Sequence, residues 1–491
     1  MKRTVLFGLI AIGSTGALAQ QSIKPRPLGT ANAASKELLG SATLARRLPN
    51  GSVIVNDGVK RRLLLLDSTL QAFTVIADSN SGSVNSYGAR AGALIPYVAD
   101  STLYLDATAG SFLVIDPAGK VVRVMAPPRP SDNNSLANTA LGYPGFDAKG
   151  RMVYRSAYPR GVQQLRDGTI QMAPAPDSAP ILRVNLDTRK ADTVGAVRLA
   201  RMVSSTVTMP GGGIAMTMSQ APLPLVDDWA LLSDGSIAIL RGRDYHVDWI
   251  LPDGTKKSTE KVSFDWKRLS DDDKLTLVDS ITKARAAMQA GGVRGDGSGA
   301  MQMMTFDGGA RTMGGGGGAT VVSDRVITAG AQAAAAVAAP PPPAGAVVAP
   351  QPKPGDATTK TSTTDAKPAA NGNAAGTSAP GGEKVGPGGG PIPANFPSAP
   401  LPAASDLPDY VPPFNTSAAR PDADANLWVR TTTPGSAPGN VVYDVINNKG
   451  ELTDRVDVPR GMSIVGFGRG GIIYLTQRDA NGLHLIRTTA H

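Results

Sequence analysis

The chain has 491 residues, no cysteine and only three histidines, and its 49 basic side chains outnumber 40 acidic ones for a formal charge of +9. The absence of thiols excludes disulfides, thiolate catalysis, zinc–thiolate centres and lipidation at a cysteine, so packing alone must stabilise the fold. The basic residues are scattered, without a long run or interleaved aromatics, which argues against a nucleic-acid partner.

At the N-terminus, Lys2 and Arg3 precede an apolar stretch from Val5 to Ile12, and Ala17-Leu18-Ala19 places small side chains at a cleavage position. That order is the pattern of a secretory signal peptide. It is expected over residues 1–19, with cleavage after Ala19 and a periplasmic or secreted destination. Gly13, Ser14 and Gly16 interrupt an apolar run already short of the roughly 20 residues a spanning helix needs. No later stretch is long and apolar enough to cross a bilayer, so the mature chain should carry no transmembrane span. Residues 20–34, polar and containing Pro25 and Pro27, read as a linker.

From there a unit of about fifty residues recurs six times, the period of propeller arrays. The first copy runs Leu44 to Leu48, turns at Asn50-Gly51, returns through Val53-Ile54-Val55, continues in Leu63 to Leu66 and closes with Phe73 to Ile76. The second has Leu103-Tyr104-Leu105, then Phe112 to Ile115 ending at Asp116-Pro117, then Val121 to Val124. The third pairs Met152-Val153-Tyr154 with Ile181 to Asp187 around a proline-bearing insertion, 159–180. A methionine-rich stretch, 201–220, is broken by Gly211-Gly212-Gly213 and is expected as a surface hairpin, since no histidine or cysteine accompanies the thioethers. The fourth copy combines Trp229 to Leu232, the turn Asp234-Gly235, Ile237 to Leu240 and Tyr245 to Ile250. Asp-Gly and Asn-Gly between apolar runs mark hairpins because glycine accepts the positive φ of tight turns.

These four copies span residues 35–264. Ser270, followed by three aspartates and a helical spacing of Leu275, Leu277, Val278 and Ile281, predicts one helix within 265–290, with Ser270 as N-cap. Residues 291–409 are rich in glycine, alanine and proline, with only Phe306 and Phe396 aromatic, and are expected as a disordered insertion. The last two copies occupy 410–491, with strands at Leu427 to Arg430, Val441 to Ile446, Ile472 to Leu475 and Leu483 to Ile486. The sixth copy stops one strand short, and 38–42 is expected to complete it and close the ring. The predicted fold is therefore all-β: a six-bladed β-propeller with a helical and low-complexity insertion between blades four and five. Each unit is too small to hide its apolar face alone.

The element Asp424-Ala425-Asn426-Leu427-Trp428-Val429, with relatives at Asp147 to Val153 and Ser233 to Ile239, resembles the D-x-x-G-x-(I/L)-x-V core of NHL-type six-bladed propellers. The resemblance covers about 300 residues. It departs from the NHL pattern in its irregular spacing and large insertion, and as a whole the chain looks like an exported bacterial six-bladed propeller. Related propellers of the gluconolactonase type hold a divalent cation in the central channel and hydrolyse lactones, so the resemblance implies a search for oxygen ligands suited to an ion such as calcium. Asp227 and Asp228 before the fourth inner strand, Asp422 and Asp424 before the fifth, and Asn56 and Asp57 after the first hairpin are the candidates. Acids at strand ends also cap turns or stay solvated, which competes with a metal role.

The densest polar cluster is Arg241 to Trp249. His246 could serve as a general base oriented by Asp244 or Asp248. Residues 244, 246 and 248 share one strand face, opposite Tyr245, Val247 and Trp249, so the same cluster also fits the solvated face of an amphipathic strand. No G-x-S-x-G occurs, and the run Gly314 to Gly318 lacks the lysine and hydroxyl residue of a phosphate loop.

The first functional reading is an exported scaffold that binds a ligand or envelope protein on its ring face as a monomer, without catalysis and without an assured cofactor. The alternative is a divalent-metal-dependent hydrolase of the lactonase type. A structural role, in which the insertion reaches peptidoglycan or another protein, is the third.

Overall fold

A computed structural model describes residues 23–79, 86–87, 92–157, 162–164, 170–172, 176–208, 214–290, 304–306, 401 and 403–490. The chain is a six-bladed β-propeller. Blade 1 is built from Ala45–Arg47, Val53–Asp57, Arg62–Leu66 and Phe73–Asp78, and blade 2 from Leu94–Pro96, Thr102–Asp106, Ser111–Ile115 and Val121–Met125. Blade 3 uses Gly145–Phe146, Met152–Arg155, Ser178–Val184 and Ala191–Arg198, and blade 4 uses Asp228–Leu231, Ile237–Arg241, His246–Ile250 and Lys256–Ser258. Phe414–Pro421, Leu427–Pro434, Val441–Ile446 and Leu452–Val458 form blade 5. Blade 6 takes Met462–Gly468, Ile472–Arg478 and Leu483–Thr489 from the end of the chain. First strands of neighbouring blades touch across most of the ring, so they are its inner wall.

The recurring turn has a common physical basis. An aspartate or asparagine accepts the backbone N–H four residues on: Asp116 from Lys120 (2.8 Å), Asp147 from Arg151 (2.9 Å), Asp422 from Asn426 (2.8 Å) and Asn447 from Glu451 (3.0 Å). The position between them is left-handed, and glycine fills it at Gly119, Gly150 and Gly450. Ala425 takes the same slot at φ +62°, which is why the fifth copy keeps the turn without its glycine.

Apolar side chains of adjacent blades form the core. Val53, Val55 and Leu64 of blade 1 pack with Val465, Tyr474 and Leu485 of blade 6, so the seam between the two ends of the chain is as dry as the others. Closure relies on residues that read as a linker. Ala33–Ala34 pairs antiparallel with blade 6 (Ala33 opposite Arg487), Leu39 bridges Leu483, and Arg26–Pro27 runs parallel along the outer strand of blade 5. The closing strand thus lies upstream of the expected 38–42, which contributes only the Leu39 bridge. An outer strand needs backbone donors and acceptors rather than an apolar alternation, and a polar segment with prolines supplies them unannounced.

The expected helix is present as Asp271–Ala290. Ser270 and Asp273 cap it reciprocally: the Asp273 N–H donates to Ser270 Oγ (3.2 Å), and the Ser270 N–H donates back to the Asp273 carboxylate (2.9 Å). Its Leu277 and Ile281 bury against Leu223, Leu269 and Leu407. Two parts of the expected disordered stretch make contact with the fold. Leu407 is buried and the Asp409 carbonyl accepts the Leu269 N–H (2.8 Å), while Met304–Phe306 pairs with the methionine-rich hairpin Met202–Thr208/Ile214–Gln220. A second, short helix, Asn133–Ala137, joins blades 2 and 3. Residues 1–19, 307–400 and the run Gly314 to Gly318 lie outside the described residues. Among the described residues, no helix is long and apolar enough to cross a membrane.

Candidate functional site

Strand alternation places the turns between second and third strands, and the crossovers between blades, on one ring face. The remaining turns lie on the other. The acids proposed as metal ligands are distributed over both faces, and each is engaged by the protein itself. Asp422 sits on the second face, where one carboxylate oxygen accepts the Asp424 and Asn426 N–H groups (2.8 Å each) and the other accepts Asn426 Nδ2 (2.9 Å) and Trp428 Nε1 (3.0 Å). Asp424 accepts the Gly470 and Gly471 N–H groups, tying blade 5 to blade 6.

On the first face, Asp57 is fully buried and accepts the N–H groups of Gly40 (3.1 Å) and Ser41 (3.0 Å) together with Arg62 Nε (3.3 Å). Its neighbour Asn56 donates to the Gly92 carbonyl (2.7 Å). Asp228 is also buried, with its oxygens receiving the N–H groups of Trp229 (2.9 Å) and of Ala419 in the next blade (3.0 Å). Burial pushes its carboxyl up from the ordinary range, against the pull of those donors. Among the described residues, no three His, Cys, Asp or Glu side chains converge as a metal-binding group.

The blade-4 cluster does come together, and Asp227 joins it. Arg241 is its hub, donating through Nη1 to Asp227 (2.7 Å) and through Nε to Asp248 (2.7 Å). Burial opposes the Arg241 charge, yet the Asp248 and Asp227 hydrogen bonds hold its pKa above the usual value. His246 lies between two carboxylates, with Nδ1 2.6 Å from Asp244 and Nε2 3.3 Å from Asp248. Nδ1 is therefore engaged by Asp244, while Nε2 faces the Asp248 carboxylate. Gly242 allows the tip to fold back, because a Cβ there would stand 2.0 Å from the Val226 carbonyl oxygen.

Beside this cluster opens a pocket of about 410 Å³, lined by Arg243, Asp244, Lys261, Trp266 and Tyr410. The hairpin tip supplies Arg243 and Asp244, the segment after Lys256–Ser258 supplies Lys261, and the two stems of the insertion supply Trp266 and Tyr410. The stems are pinned together by the Arg268–Tyr410 bridge and by the Val411 N–H, which donates to the Lys267 carbonyl (2.9 Å). An aromatic series fixes the pocket to the core. Phe414 and Tyr245 lie 5.9 Å apart, Tyr245 and Phe264 5.7 Å, Phe264 and Trp266 5.4 Å, and Trp266 and Tyr410 6.4 Å, the last pair at 88°. Asp244 was legible in the sequence as part of the polar cluster. Arg243 belongs to the same cluster, whereas Trp266, Tyr410 and Lys261 were not singled out, because the insertion separates the two aromatics and only the pinned stems reveal their proximity.

No protein-family model matches the chain, and no curated protein matches it either. Among solved structures, a streptogramin B lyase is 13% identical over 46% of this chain and 86% of its own, with a TM-score of 0.21. The virginiamycin B lyase of Staphylococcus aureus with quinupristin is 10% identical over 47% of this chain and 74% of its own, with a TM-score of 0.25. A gluconolactonase of Xanthomonas campestris is 11% identical over 51% and 92%, with a TM-score of 0.22. At such scores the activities in those names stay with those proteins.

Proposed function

We propose that this protein is an exported binding propeller that takes its ligand on the ring face of blade 4, in the pocket framed by Trp266 and Tyr410. One observation carries the reading: the acids available for metal-assisted hydrolysis are engaged by backbone and side-chain donors, whereas the blade-4 pocket presents an exposed arginine and aromatic surface. Arg243 is exposed and makes no hydrogen bond or ion pair among the described residues. Convergent aromatic and charged groups in a preformed concavity are what binding sites use. The signal-like N-terminus supports action in the periplasm or outside the cell, on an envelope component or a soluble ligand, by a monomer.

The test joins binding to chemistry. The full mature chain should bind envelope fragments saturably, and Trp266→Ala should abolish that binding while a thermal melt still shows a cooperative, folded chain. A panel of lactones and esters, supplied with calcium, magnesium, manganese or zinc, should remain intact. Metal-dependent turnover of any panel member, removed by Asp227→Asn or Asp228→Asn, would replace the binding reading with the hydrolase.

A further inference from the structure

We infer that the pocket selects an acidic sugar, a pyranose ring that carries one carboxylate and free hydroxyl groups; this rests on the binding reading above. The first element is charge. Arg243 and Lys261 bring two positive charges and Asp244 one negative charge to the lining, so a single carboxylate balances the site. A doubly charged phosphate would overload it and crowd Asp244. The unpartnered Arg243 guanidinium offers the planar fork that grips a carboxylate through two parallel hydrogen bonds.

The second element is the remaining capacity of Asp244. One oxygen is held by His246 Nδ1 at 2.6 Å, and the other stands 4.0 Å from Lys261 Nζ, beyond hydrogen-bond reach. That second oxygen is oriented, part-exposed and able to accept from a ligand hydroxyl. His246, itself braced by Asp248, is in this account a positioning residue for Asp244.

The third element is shape. Trp266 is held at right angles to Tyr410 and packed behind by Phe264, so a flat ring can lie against the indole while the phenol closes one side. The pocket is open and Tyr410 is 46% exposed, which lets neighbouring units of an oligomer leave without a clash. An apolar ring face, an adjacent acid and hydroxyl groups are together the features of a uronate residue.

The chain reports its own occupancy. Trp229, Trp249 and Trp428 are buried to 2% exposure or less, which leaves Trp266 as the one partly exposed tryptophan among the described residues. Titrating the full mature chain with trigalacturonate and triglucuronate should therefore change tryptophan fluorescence saturably, and Trp266→Phe should remove the change. Methyl-esterified trigalacturonate should bind at least about tenfold more weakly, and Arg243→Met should cause a loss of similar size, the equivalent of one charge-assisted contact. Arg243→Lys should restore part of that loss. Equal binding of the ester or of neutral maltotriose, an Arg243→Met variant that binds as the parent, or a preference for peptides with a free C-terminal carboxylate would each overturn the acidic-sugar assignment. If uronates fail while Trp266→Ala still abolishes capture of envelope fragments, only this inference falls. If the lactone panel is turned over, the binding reading falls with it.

Discussion

The Tyr245 hydroxyl donates to Asp444 at 2.8 Å, joining the hairpin tip of blade 4 to the third strand of blade 5 inside the protein. The other oxygen of Asp444 accepts Arg455 Nε at 3.0 Å, and Arg455 also reaches the carbonyls of Ile23 and Ser263. Asp444 is fully buried and Arg455 is 7% exposed. Burial raises the Asp444 carboxyl despite both donors, and burial followed by the Asp444 charge raises the Tyr245 hydroxyl well above its usual value. This buried triad fixes the hairpin that carries Arg243 and Asp244.

Breaking the triad should cost stability in graded steps. Tyr245→Phe leaves one buried carboxylate oxygen without its donor, for about 1–3 kcal/mol. Asp444→Ala leaves the Arg455 charge buried and unpaired, for about 3–5 kcal/mol. Because the residues share one carboxylate, urea denaturation of the double variant should give less than the sum of the single losses. Additive losses would separate them.

The Arg241–Asp248 pair gives a pH signature. Burial opposes ionisation of Asp248, but Ser258 and Arg241 hold its pKa below the ordinary 3.8. A carboxyl depressed in the folded state contributes stability above 3.8 that is lost as pH falls through its folded pKa. Both side chains are 28% exposed, so the pair is worth about 1 kcal/mol or less. Urea midpoints should place Asp248→Asn below the parent at pH 7, with the gap closing once the pH drops beneath about 4. A gap that does not narrow at all as the solution is acidified would assign the loss to something other than this charge.

Ring closure makes the N-terminal segment a structural element. Ser35 and Leu39 donate their N–H groups to the carbonyls of Leu485 (2.7 Å) and Leu483 (2.8 Å), and Arg26 Nε pairs with Asp454 at 2.9 Å. Removing residues 20–40 should lower the melting temperature and promote self-association, since it bares the outer edge of blade 6. Light scattering and a thermal melt read both effects. An unchanged melt would mean that blade 6 holds without its fourth strand.

Much of this fold was legible because its signals are local. Asp147 to Arg151 and Asn447 to Glu451 spell a turn in five residues, and runs such as Leu63 to Leu66 spell a strand buried in the seam between blades. The resemblance to six-bladed propellers rested on turns of this kind at Asp147 to Val153, Ser233 to Ile239 and Asp424 to Val429. Arg26–Pro27 and Ala33–Ala34 escaped notice because two-residue strands in a polar segment with prolines carry no apolar alternation, although they pair with blades 5 and 6. The site was half legible for a related reason: Asp244, His246 and Asp248 lie close in sequence, Asp244 in the hairpin turn rather than on the expected shared strand face and the other two on the strand His246–Ile250, whereas Trp266 and Tyr410 meet only where the two stems of the insertion pair. The acids proposed as ligands illustrate the opposite limit. Nothing in the residue type distinguishes Asp422, which caps a turn with both oxygens, from an acid left free for a cation.

The most direct test is a thermal melt of the full mature chain in EDTA and again with excess calcium, magnesium, manganese or zinc. If Asp57, Asp227, Asp228 and Asp422 serve the fold as described, the melting temperature stays the same with each metal, because nothing binds the folded state selectively. A rise specific to one metal, abolished by Asp228→Asn, would contradict the account and restore the hydrolase.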